Sequence, residues 1–118
     1  KKDEAKYLEM LALGSALSSV QVLSAFQKDM PVGPVVSVMQ RWYWDLMAVL
    51  SGAEPRYFPE HAEAYKRQAQ GTDFQKLVPF NQTLMQANRS KDHPLSKRLV
   101  LQDLFITWAK TLADARKN

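Results

Sequence analysis

The chain has 118 residues, 46% of them hydrophobic and 24% charged, with a formal net charge of +4. That length suits one domain, residues 1–118, that buries a core without covalent staples. The absence of cysteine excludes disulfides, thiolate metal sites and a cysteine nucleophile, and no apolar run approaches the ~20 residues of a membrane span.

The opening Lys1-Lys2-Asp3 has no initiator methionine and no signal-peptide layout, which fits either processing or a fragment of something longer. Helical periodicity predicts a first helix over about 3 to 13, with Asp3 and Glu4 suiting the positive end of its dipole. A second is expected over about 18 to 29, carrying Val22, Leu23, Phe26 and Met30. "MPVGP" then interrupts the chain, because prolines and glycine are costly inside a helix. The third runs from Pro34 to Ser51, with Val35, Val38, Met39, Trp42, Leu46, Val49 and Leu50 on one stripe and Gly52 as its stop. "AEPRYFP" reads as an extended linker, and Glu60 to Gln70 as a short polar helix led by Pro59. Thr72-x-x-Gln75 has the form of a capping box opening a fifth helix. Pro79 predicts a kink or break there, since an interior proline costs ~3 kcal/mol. "KDHP" ends that segment, and a last helix follows over about 94 to 115. The glycines at 14, 33, 52 and 71 share no flanking pattern and read as punctuation. Short loops between such helices predict an all-α bundle of five to six helices.

Little in the chain points to catalysis. His61 and His93 lack convergent partners for a metal or general-base role, and no Walker-type loop, GxSxG or GxGxxG is present. The expected sets of catalytic, metal-binding and cofactor-binding residues are empty. Asp45, at the edge of the third helix's stripe, is assigned a structural ion pair, with Arg98 as a candidate cation. The five methionines, Met10, Met30, Met39, Met47 and Met85, read as gap-filling core. The densest basic stretch, "RSKDHPLSKR" at 89–98, reads as a polar loop. The rival reading is a nucleic-acid face, which would need that stretch to join Lys76, Arg67 or Arg41.

The aromatic cluster "RWYW" poses a sharper question. Trp42 lies mid-stripe and belongs to the core, with Leu46. Trp44 falls about 180° from the stripe centre. Cover from within the bundle is the plainer reading for it, and a partner surface the alternative, because tryptophan is enriched at interface hot spots. Base stacking is disfavoured, because only Arg41 stands beside these rings. On the last helix Leu99, Leu101, Leu104, Phe105, Ile106, Trp108, Ala109, Leu112 and Ala113 span an arc of about 220°. Arg98 and Gln102 fall inside it. So wide an arc predicts a central helix, an oligomer seam, or both. Leu99, Leu101 and Phe105 are assigned to the core. The subunit-interface candidates are Trp44, Arg41, Arg98, Gln102 and Trp108.

Two stretches, "QRWYWDLMAVLSGAEPRYFP" (40–59) and "LSKRLVLQDLFITWA" (95–109), resemble the C-terminal domain of the delta-prime subunit of bacterial DNA polymerase III. The matching positions are Trp42, Asp45 and Leu46, then Pro55, Arg56, Tyr57 and Phe58, and in the last helix Arg98, Leu99, Leu101, Leu104, Phe105 and Trp108. Ser96 and Gln102 depart from the family's usual Asn and Glu. The resemblance implies a helical collar domain in the clamp loader, which opens the sliding clamp and places it on primed DNA in replication. It implies a cytoplasmic, non-catalytic oligomerisation role without cofactors or membrane, with the gamma/tau and delta subunits as partners. DNA would be contacted through the whole complex. The family's N-terminal AAA+ modules would lie outside this sequence. The alternatives are a nucleic-acid-binding helical domain and an unrelated helical protein-interaction module.

Overall fold

The computed structural model describes residues 2–26, 30–89 and 97–116. Among them the backbone forms six α-helices, two 3-10 turns and no strand, as the periodicity predicts. Helix α1 (Lys2–Leu13) ends where Gly14, at φ 55°, turns the chain into a 3-10 turn over Gly14–Ala16. Glycine suits this left-handed turn, and a Cβ there, 2.9 Å from Leu112 Cδ1 and 3.0 Å from Gln68 Nε2, would also push on the ends of those side chains. Helix α2 (Ser19–Ala25) opens on a reciprocal cap. The Gln21 N–H donates to Ser18 Oγ at 3.1 Å, and the Ser18 N–H donates to Gln21 Oε1 at 2.9 Å. It stops at Ala25, shorter than periodicity predicts, because Phe26 is extended.

Helix α3 (Val32–Leu50) starts two residues before the predicted Pro34. Gly33 and Pro34 fall in its first turn, where backbone N–H groups have no helical acceptor and proline loses nothing. After a 3-10 turn over Pro59–His61 come α4 (Ala62–Ala69) and α5 (Phe74–Arg89). The expected box at Thr72 is not formed. Thr72 Oγ1 donates instead to Gln68 O at 2.5 Å, and Asp73 Oδ1 caps α5 by accepting from the Gln75 N–H at 3.0 Å. Nor does Pro79 break α5. Leu77, Phe80, Leu84 and Ala87 are all buried along it. Burial of each large one is worth ~1.5–3 kcal/mol, together more than the ~3 kcal/mol of an interior proline. Helix α6 (Lys97–Asp114) closes the bundle; the predicted start at 94 lies outside the described residues. The chain end returns to the α4–α5 turn through a Thr72–Arg116 bridge and an Asp73 N–H to Ala115 O bond of 2.7 Å.

Helix α3 is the centre, packed by α1, α4, α5 and α6. The buried side chains form a single cluster, from Tyr7 on α1 to Ala115 at the end of the chain. Its aromatic rings make three groups: Tyr7, Phe26 and Phe105; Tyr43, Phe80 and Trp108; and Trp42, Phe58 and Tyr65. The radius of gyration, 13.6 Å, is close to the ~13.5 Å of a compact domain this long. Every buried side-chain nitrogen and oxygen among the described residues has a hydrogen-bond partner, so the polar atoms inside cost little. No helix among them is long and apolar enough to cross a membrane.

Candidate subunit-docking surface

The corner between α3 and the linker that follows it is built on one carboxylate. Asp45 is 1% exposed. It accepts from three consecutive backbone N–H groups: Arg56 at 2.8 Å, Tyr57 at 3.0 and 3.1 Å, and Phe58 at 2.7 Å. The Tyr65 hydroxyl adds a fourth donor at 2.8 Å. An ionised carboxylate needs such a set to be buried at all, and charge-assisted bonds of this kind are the strong ones. The expected ion pair with Arg98 does not exist: Arg98 is exposed on the first turn of α6, and backbone amides hydrogen-bond Asp45 in its place. Burial, then the hydrogen bond and charge of Asp45, and last the charge of Glu60, push the Tyr65 hydroxyl far above its ordinary pKa. Burial alone raises Tyr43, whose hydroxyl donates to Leu77 O at 3.0 Å.

This clamp folds the linker back on α3 and sorts its rings. Phe58 turns inward to Trp42, which also meets Tyr65 at 4.4 Å and donates from Nε1 to Gln68 Oε1 at 3.1 Å. Tyr57 turns outward. Its ring lies 6.1 Å from that of Trp44, and the Arg56 guanidinium lies over it at 5.8 Å. Trp44 is 47% exposed and Tyr57 40%, so each covers part of the other and the pair still faces solvent. Arg41 borders the corner, 5.2 Å over the Phe58 ring and 3.5 Å from Glu4 Oε2. Trp44, Arg41, Arg56 and Tyr57 thus form one outward corner, of which the residue pattern alone singled out only the first two.

On α6 the candidates separate. Trp108 is 1% exposed and packs on Phe80, and Gln102 is 8% exposed with Nε2 donating to Leu23 O at 3.2 Å. Both are interior residues, a correction to their assignment as interface candidates. Trp108 lies within about 20° of the centre of the buried stripe, and Gln102 reaches the α2 carbonyl from its edge. Leu99 is the opposite correction. Assigned to the core, it is 64% exposed, because it lies at the far edge of the apolar arc, about 160° from the Leu101 direction. Ile106, on the same edge, is 40% exposed. Trp42, Leu46, Leu101 and Phe105 are wholly buried, while Met85 is 38% exposed and does not fill the core.

His61 packs its ring against Trp42 at 5.4 Å, a structural contact, and His93 lies outside the described residues. No group of three metal-binding side chains occurs among the described residues. The basic stretch 89–98 lies mostly outside them. Comparison with protein-family models, curated proteins and solved structures finds no match for this chain.

Proposed function

We propose that this chain is a non-catalytic assembly domain, the C-terminal collar domain of a delta-prime subunit of bacterial DNA polymerase III. In that role it would help to hold the clamp-loader ring together, with gamma/tau and delta subunits as neighbours, in the cytoplasm. One observation carries the reading beyond a likeness of residues. Two segments that make up the first resembling stretch, Trp42–Leu46 and Pro55–Phe58, are tied together by the Asp45 carboxylate, and the product of that tie is an outward aromatic pair. A tryptophan and a tyrosine side by side, flanked by arginine, are the residue types that dominate interface energetics.

A ring subunit offers two different faces to two neighbours. The Trp44–Tyr57 corner supplies one apolar centre, and Leu99 and Ile106 on the outer side of α6 supply a second. A standard interface buries ~800 Å² per partner, so each centre needs a surrounding polar rim. Arg41 and Arg98 are the candidate rim cations. Co-expression with gamma/tau and delta subunits tests the proposal: Trp44→Ala and Arg98→Glu are each expected to lower recovery of the assembled ring while the isolated domain keeps its denaturation midpoint. Undiminished recovery with both substitutions overturns it.

A further inference from the structure

Away from both faces, a cleft of about 540 Å³ opens between the Gly14–Ala16 turn, the end of α4 and the end of the chain. This size falls within the ~300–1,000 Å³ of ligand-binding clefts. Its floor is closed by a tight junction. Gly14 lies so close to Leu112 and Gln68 that a methyl group there would displace the ends of their side chains. The Gln68 amide is already committed, with Nε2 donating to Leu11 O at 2.7 Å and Ala12 O at 3.1 Å and Oε1 accepting from Trp42. Thr72 is likewise turned inward to Gln68 O.

The charged groups left at the mouth are both cationic, beside the neutral side chains of Ser15 and Gln70. Arg67 and Arg116 both line the cleft, both are exposed, and neither has a carboxylate within 4.0 Å among the described residues. Arg67 makes one long contact, from Nη2 to Ala12 O at 3.5 Å. No Asp, Glu or aromatic residue is among the lining residues, and beside the arginines lies Leu13, 43% exposed.

From this we infer that the cleft docks an acidic segment of another polypeptide, with carboxylates on Arg67 and Arg116 and an aliphatic side chain on Leu13. Guanidinium groups recognise carboxylates through paired, geometrically matched donors. An anionic partner would displace no carboxylate from either guanidinium among the described residues. Single-stranded nucleic acid offers the same charge but takes its affinity from base stacking on aromatic rings, which this cleft lacks. The inference is independent of the collar reading, because it uses neither the Trp44 corner nor the outer face of α6.

The test is a nuclear magnetic resonance titration of the whole chain with a capped hexapeptide of alternating glutamate and leucine. Amide shifts at Gly14, Gly71 and Leu112 are expected. They should weaken as salt screens the charges, and affinity should fall about tenfold in an Arg67→Gln/Arg116→Gln double variant. An unchanged spectrum away from the cleft shows that the variant is folded, and Trp44→Ala should leave the titration as it was. The inference is overturned by the absence of shifts at the cleft, by equal shifts with the glutamine–leucine peptide, by undiminished binding in the double variant, or by oligothymidylate displacing the peptide from the same amides.

Discussion

The α3–linker corner and the last helix each carry tryptophan beside charged residues, yet they place it in opposite ways. In the corner a buried carboxylate captures a stretch of extended backbone, and the ring left over, Trp44, meets the Tyr57 ring and stays 47% exposed. On α6 the widest apolar arc in the chain is consumed from one edge, so Leu104 and Trp108 disappear into the core while Leu99 and Ile106, on the other edge, remain outside. The side of its helix that a residue takes, toward the bundle or away from it, decides burial. Membership of a wide stripe does not.

Four substitutions or conditions sharpen that contrast. The largest effect is expected from Trp108→Ala, a cavity in the core worth about 3–5 kcal/mol of stability, read from the urea midpoint at constant m. If Trp108 were an interface residue, the isolated domain would scarcely notice its loss. Asp45→Ala comes next, at about 3–4 kcal/mol, because it strands three backbone N–H groups and the Tyr65 hydroxyl. It should also free the 56–58 segment, detectable as faster amide exchange at those residues.

Alkaline pH supplies a third test. Tyr43 and Tyr65 hold their protons in the folded state above the ordinary value, whereas the unfolded chain releases them near pH ~10. Below that value both states are protonated and the full stability is present. Above it the unfolded state binds fewer protons, so stability falls by about 1.4 kcal/mol per pH unit for each such tyrosine. Tyr65→Phe should make the decline shallower, whatever it costs at neutral pH. The smallest effect belongs to Leu99→Lys, expected to change stability by no more than about 0.5 kcal/mol. A loss above ~2 kcal/mol would return Leu99 to the core.

Much of this architecture is legible in the residues themselves. The all-α class and the bounds of α1 and the end of α3 follow from periodicity and from glycines at positive φ. Trp42 and Trp44 separate by simple helical arithmetic, whereas Leu104 and Leu99 lie equally far from the centre of the α6 arc and only the packing of the bundle buries the first and exposes the second. Other features are not local. The cap at Asp73 in place of Thr72 depends on the chain end returning to pair with that turn. The continuity of α5 through Pro79 depends on what α3 and α6 offer its buried face. The partners of Asp45 are backbone amides 11 to 13 residues away, and backbone N–H groups leave no trace in residue identity. Tyr57 escapes notice for that reason, since nothing but the Asp45 clamp sets it beside Trp44. The one advance signal was a carboxylate bordering an apolar stripe, which demands a partner without saying which.

The central claim is that an outward aromatic corner awaits cover by a neighbouring subunit, and fluorine resonance of 5-fluorotryptophan-labelled protein tests it most directly. The chain has three tryptophans, and each can be assigned by replacing it with phenylalanine. Trp44 alone is expected to show a solvent isotope shift on exchange of water for deuterium oxide, because Trp42 and Trp108 are buried, and this sensitivity should vanish when gamma/tau and delta subunits are added. A Trp44 signal as solvent-sensitive in the assembled ring as in the free domain would contradict it.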